Sequence, residues 1–162
     1  MKPIALAAAA LAFLAGPALA QNAGQIASAR GGASCAGCNL FQADLASVEL
    51  AGKSYAGARL RQADLSLATM NRANFAGADL RDVRGFGGLF SSANFSGANL
   101  TNSTWVGAYF GGSNFRGANL SGANFSGAEL DRARGLTQAQ LNGACGDQGT
   151  TLPAGLTLPL CR

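Results

Sequence analysis

Cys35-Ala36-Gly37-Cys38 is the one local spacing in this chain that names a chemistry outright. A CxxC pair suits thiol–disulfide exchange, because such motifs lower one thiol's pKa and expose a nucleophilic thiolate. That tuning depends on a helix N-terminus in a βαβ context, and no such pattern surrounds these two residues. A structural staple is the plainer role. Zinc is a weaker reading, since the remaining cysteines, Cys145 and Cys161, stand in a C-x15-C spacing. His is absent, which removes Ser-His-Asp and Cys-His catalysis, His-ligated zinc and c-type haem attachment together. Asp44, Asp64 and Arg84 recur at twenty-residue intervals. Stacked carboxylates would hold a weak cation or act as an acid/base pair. With Arg84 in the series, a solvated charge ladder is expected instead, and Arg59 with Asp79 reads the same way. No cofactor motif is present.

The 162 residues suffice for one domain. Lys+Arg is 12 against 8 Asp+Glu, giving a net charge of +4, and only 12% of residues are charged. Arg61, Arg72, Arg81, Arg84, Arg116, Arg132 and Arg134 tilt the surface basic. They are scattered among aspartates rather than clustered with aromatics, so no nucleic-acid partner is expected.

Residues 1–20 read as a secretory signal peptide. Lys2 is the positive n-region, Ile4 to Ala15 is an uncharged apolar run, and Ala18-Leu19-Ala20 is an A-x-A cleavage site. The run is too short to span a bilayer. Cleavage would leave 162 − 20 = 142 residues with no membrane insertion. The expected location is the bacterial periplasm or the extracellular space, where disulfides persist. Residues 21–34 read as a flexible, small-residue leader.

From Cys38 onward the chain divides into blocks of five without a break. The third residue of each block runs Leu40, Leu45, Leu50, Tyr55 and so on to Leu130. Eighteen of these nineteen centres are large and apolar, Gly85 being the exception. Two residues before the centre a small residue recurs, twelve times Ala, with Lys53 the misfit. Two residues after it, Gly appears ten times. No helix keeps this face buried, because a five-residue period drifts about 140° per repeat. Strict two-residue alternation would send successive centres to opposite faces of a strand. A short extended piece and a corner, repeated in a coil, buries both the large and the small series.

Blocks such as Ala93-Asn94-Phe95-Ser96-Gly97, Ala98-Asn99-Leu100 and Ala118-Asn119-Leu120-Ser121-Gly122 resemble the pentapeptide-repeat family over residues 35–135. The resemblance implies an all-β fold, a right-handed quadrilateral β-solenoid with four pentapeptides per coil. Nineteen blocks then give about five coils, a rod of roughly 23 Å. Every twentieth residue should stack: Tyr55, Phe75, Phe95 and Phe115 in one column, Leu45, Leu65, Gly85, Trp105 and Phe125 in another. Gly85 lies next to Trp105, so small against large should fill the space. Outside, Asn74, Asn94 and Asn114, and Asn99 with Asn119, suit amide ladders. Lys53 is expected to escape to solvent from irregular first coils, with a buried functional lysine as the alternative. Some members of the family mimic DNA and bind DNA gyrase; those are acidic and cytoplasmic, so that role is not carried over.

Residues 136–162 read as a C-terminal cap over the exposed strand edge. Thr137 and Gln140 are placed as a capping box, Leu136 and Leu141 as a hydrophobic staple, and Gly146 as a helix stop. Four cysteines allow three pairings. Cys145 and Cys161 share the cap while Cys35 and Cys38 share the opposite end, so Cys145–Cys161 and Cys35–Cys38 are expected.

Among outward residues, Phe86, Leu89, Val106 and Tyr109 are apolar and fall on neighbouring columns. Such a patch marks a contact site. In the competing arrangement Phe86 turns inward to fill the space at Gly85. The expected function is a non-enzymatic exported structural or interaction module, with an unidentified protein partner or a second copy. The alternative is a redox protein using Cys35 and Cys38. Ice or mineral binding is weaker, because the rows hold Asn, Ser and Gly rather than Thr.

Overall fold

The computed structural model describes residues 21–162; the expected signal peptide lies outside the described residues. From Asn39 to Arg134 the chain repeats one unit: two turn residues, then a single parallel bridge to the residue twenty positions on. The series runs Asn39↔Arg59, Asp44↔Asp64, Glu49↔Thr69, Ser54↔Asn74 and continues to Asn114↔Arg134. Four blocks therefore make one circuit, and backbone hydrogen bonds such as Leu40 N–H to Arg59 O at 2.8 Å run along the coil axis. All nineteen centres point inward and are buried.

The five-residue period has a turn as its cause. The N–H three residues after a centre bonds back to that centre's carbonyl, as Ala43 N–H to Leu40 O at 3.1 Å. The residue two after the centre has positive φ at every corner from Gly37 to Gly127, the signature of a type II turn. This explains why Gly dominates that position.

The inward columns are as the pattern implies. Tyr55, Phe75, Phe95 and Phe115 stack with ring centroids 5.0–5.5 Å apart and planes within 18°. Trp105 occupies the space beside Gly85, where an added Cβ would come within 2.2 Å of the indole ring. Ser103, at the small inward position, accepts the Trp105 indole N–H at 2.7 Å, so the one buried indole is satisfied from within its own block. Tyr55 is the opposite case. It is fully buried, its hydroxyl has no hydrogen-bond partner, and burial pushes its pKa up from 10.0 to about 12.

Two expectations need correction at the N-terminal end. Residues 21–34 are not a flexible leader: α1 (Ala23–Arg30) forms there, capped by Asn22, whose side chain accepts from Gln25 N–H at 3.1 Å. The helix docks on the first coil through buried Ala29, through Gln25 Oε1 accepting the Asn39 N–H at 2.7 Å, and through an Arg30–Asp44 ion pair at 3.2 Å. Nor are the first coils irregular. The bridge register passes through Lys53 unbroken, and Lys53 is half-buried rather than free in solvent.

At the C-terminal end α2 is a single turn, Gln138–Leu141, with the Thr137/Gln140 capping box formed. Gly146 does not end it; Asn142 does. The chain must return at once to the coil, because Phe125 N–H bonds to Cys145 O at 2.8 Å and Leu130 N–H to Thr151 O at 2.9 Å. Gly146 instead bridges Leu160. Both disulfides are formed, Cys35–Cys38 and Cys145–Cys161.

Candidate interaction surface

The outward residue just before each centre decides what a face presents. Where it is Asn or Asp, its side-chain oxygen accepts the N–H two residues on and locks the corner. Asn74 does this for Ala76, Asn94 for Ser96, Asn99 for Thr101, Asn114 for Arg116 and Asn124 for Ser126, at 2.9–3.1 Å. Short polar side chains that bond their own backbone two residues on are the reason Asx residues favour turns. On the same face the amides also bond each other: Asn94 Nδ2 donates to Asn74 Oδ1 at 3.1 Å and Asn114 Nδ2 to Asn94 Oδ1 at 3.4 Å.

The neighbouring face carries Glu49, Thr69, Leu89, Tyr109 and Glu129 in the equivalent places. None is Asn or Asp, and none caps its corner. Leu89 and Tyr109 are bridged, one coil apart. Around the corner from them stand Phe86 and Val106. Phe86 is 55% exposed and Leu89 44%, so Phe86 does not turn inward; Trp105 already fills that space. Val106 and Tyr109 are half-buried.

The structure adds one residue to this edge. Leu67 is 59% exposed, and its Cδ2 stands 3.0 Å from where a Cβ on Gly87 would lie, beside Phe86. Leu67, Phe86 and Leu89 are three of four exposed large hydrophobics among the described residues; Leu160, in the tail, is the fourth. The signal for Leu67 was in its register, since it occupies a corner position that otherwise favours Gly.

Four ion pairs form among the described residues, all between Arg30 and Arg84. Arg84 meets Asp64 at 3.0 Å and Arg61 meets Asp82 at 3.1 Å. Asp79 is held by Arg81 through two bonds at 2.6 and 2.7 Å, and this guanidinium keeps the Asp79 carboxyl below the usual carboxylate range. The Asp44/Asp64/Arg84 column is thus divided: Asp64 pairs within it and Asp44 pairs with α1. Among the described residues no group of three or more His, Cys, Asp and Glu is arranged to hold a metal, and no helix is long and apolar enough to cross a membrane.

The cysteine motif is built into the coil. Cys35 is buried and takes a centre position, with its N–H bonded to Ser54 O at 2.7 Å. Cys38 N–H bonds back to Cys35 O at 3.2 Å, so the disulfide spans an ordinary corner rather than opening a helix.

A family model for pentapeptide repeats matches eight copies, over residues 56–84 and 93–134. The matched residues stop just before Gly85, Phe86 and Leu89 and resume after them. No match to a protein of curated function was found. Among solved structures, HetL, a pentapeptide repeat protein involved in heterocyst differentiation regulation in Nostoc sp. strain PCC 7120, is 22% identical with a TM-score of 0.31. The alignment covers 77% of this chain and 64% of HetL, so this chain spans less than two thirds of that protein. Rfr23 from Cyanothece 51142 is 23% identical over 79% of this chain and 95% of its own, with a TM-score of 0.37. The protein alr5209 from Nostoc PCC 7120 is 22% identical, covering 83% and 98%, at a TM-score of 0.37.

Proposed function

Since the chain belongs to the pentapeptide-repeat family, we propose that it is a non-enzymatic interaction module, a right-handed four-sided rod of about five coils that presents its Leu67, Phe86, Leu89, Val106 and Tyr109 edge to a partner protein. The observation that carries this is the concentration of exposed apolar side chains. Three of four large ones among the described residues, Leu67, Phe86 and Leu89, share one edge. Contiguous exposed apolar surface of this kind costs solubility unless something covers it. The interval between the two matched stretches, residues 85–92, contains Phe86 and Leu89 of this edge.

The compartment we propose is the bacterial periplasm or the space beyond it. The Lys2, Ile4–Ala15 and Ala18-Leu19-Ala20 pattern supports export, and two disulfides in a chain with no free cysteine suit an oxidising space. Cell fractionation with N-terminal sequencing checks this: a mature protein starting at Gln21 outside the cytoplasm is expected, and full-length protein retained in the cytoplasm overturns it.

The surface is tested by cross-linking capture from periplasmic extract. Wild type is compared with a Phe86→Ser/Leu89→Ser variant whose circular dichroism and melting match it. A species bound by wild type and lost from the variant is the expected result. Capture of the same set by both proteins removes the edge as the working surface.

A further inference from the structure

The corner that follows Tyr109 holds a second feature, which shares only Tyr109 with the apolar edge. Gly111 and Gly112 occupy both turn positions there, so the corner has no side chain of its own. Directly one coil away on one side lie Ser91 and Ser92, and on the other Asp131 and Arg132. The result is a notch lined by Ser91, Ser92, Tyr109, Gly111, Gly112, Arg132 and Arg134. The Tyr109 side chain folds across it: a Cβ on Gly111 would meet the phenol oxygen at 2.3 Å. Any side chain at position 111 would displace that ring.

The lining is rich in donors without acceptors. Arg134 is fixed in place, its Nε and Nη2 donating to Gly112 O at 3.2 and 3.0 Å, which leaves Nη1 uncommitted. The Arg132 side chain, the Tyr109 hydroxyl and the Gly111 N–H have no hydrogen-bond or ion-pair partner among the described residues. Gly111 lacks one because Tyr109 stands where other faces place a capping Asn. The nearest acids on these elements are Glu129, which bridges Tyr109, and Asp131, which precedes Arg132; neither comes within 4.0 Å of either guanidinium. All four ion pairs of the described residues lie between Arg30 and Arg84, below this level of the coil.

We infer that this notch is a binding site for an oxyanion, the carboxylate, phosphate or sulfate group of a small ligand. Two guanidinium groups, one pre-oriented, supply charge-assisted hydrogen bonds. Ser91, Ser92 and Tyr109 supply hydroxyl donors, and the glycine pair supplies the room. The inference does not rest on the apolar edge, and Arg132 and Arg134 are no part of that edge, so either reading can fail alone.

The test is an NMR titration of the disulfide-bonded chain with sodium phosphate, sodium sulfate and sodium acetate at constant ionic strength. Saturable shifts of the Ser91, Ser92, Gly111 and Gly112 amides are expected with at least one anion. Saturation by phosphate or sulfate alone identifies a tetrahedral group, and by acetate alone a carboxylate. Arg132→Gln should weaken the binding about tenfold, the loss of one charge-assisted bond. Its side chain makes no contact that holds the fold, so that variant keeps its structure. Arg72→Gln, on the same corner column but outside the notch, should leave the affinity unchanged. Non-saturating shifts with all three anions, unchanged affinity in Arg132→Gln, or equal weakening by Arg72→Gln would each overturn the inference.

Discussion

The column Ser54, Asn74, Asn94, Asn114 and the column Glu49, Thr69, Leu89, Tyr109, Glu129 lie on adjacent faces of the same coils, each one residue before a buried centre. The backbone in both is the same bridge-and-corner unit. In the first column the three asparagines serve that backbone, capping the corners and bonding each other along the rod. In the second they do neither. Side chains released from holding the fold are the ones available for contact. The second column gives Leu89 and Tyr109 to the apolar edge and Tyr109 to the notch, whose Arg134 continues the first column.

The sharpest separation of the two faces comes from truncating one residue on each. Asn94→Ala removes the cap on Ser96 and both amide bonds. At roughly 0.5–1.5 kcal/mol per bond, with partial solvent compensation, it should cost about 2 kcal/mol. Leu89→Ala, at the equivalent site next door, should stay within about 0.5 kcal/mol. Urea unfolding of both variants decides it. Equal losses would mean that the apolar face is structural after all.

The next test concerns the inner side of the asparagine face. Tyr55 opens the aromatic column behind it with a buried hydroxyl that has no partner. Tyr55→Phe should raise stability by about 1 kcal/mol, the desolvation cost of that group. The pH dependence has a definite sign. The folded-state pKa is raised from 10.0 to about 12, so the native state holds the proton more tightly. Wild-type stability should be flat below pH 10 in this respect and should fall between pH 10 and about pH 12, by up to about 1.4 kcal/mol per pH unit. The Phe variant should lack that slope. A Phe variant no more stable at neutral pH would point to a water or neighbour serving the hydroxyl.

Much of this contrast was legible in the residues and some was not. The unbroken five-residue register dictated the coil, the inward columns and the Gly85–Trp105 fit, since each follows from side-chain size at fixed spacing. The Thr137/Gln140 capping box was equally readable, being local. The helix at Ala23–Arg30 was not, because Ala-Gly-Gln-Ile-Ala-Ser-Ala-Arg has no apolar stripe; its order comes from the Asn22 cap and from docking on the first coil. The notch was invisible for another reason. It joins Ser91 to Arg134 across two coils, and its defining feature is the absence of side chains at Gly111 and Gly112.

Tyr109→Asn would convert the apolar face locally into the asparagine kind. The new side chain could accept the Gly111 N–H, as Asn114 accepts that of Arg116. A gain of roughly 0.5–1 kcal/mol is expected, together with loss of part of the apolar edge. More stable and less able to bind is the signature of a position held for function. A loss of stability would instead show that the phenol packed over Gly111 matters more than the missing cap.

The smallest effect is the most discriminating, because Leu67 departs from the pattern twice. It is an exposed leucine, and its φ of 58° puts it in the left-handed region that disfavours a branched side chain. Holding a residue with a Cβ there costs roughly 1–2 kcal/mol. A glycine in its place would remove that cost but bring back about 0.5–1 kcal/mol of chain flexibility, and some contact with Gly87 would go. Leu67→Gly should therefore gain only a few tenths of a kcal/mol in urea unfolding, and Leu67→Asn, which tolerates the left-handed region with less added flexibility, slightly more. Both gains would mean that leucine is kept against the preference of its own corner, for what it presents outward. If both substitutions destabilise, Leu67 is packing the corner for the fold, and the apolar edge shrinks to Phe86, Leu89, Val106 and Tyr109.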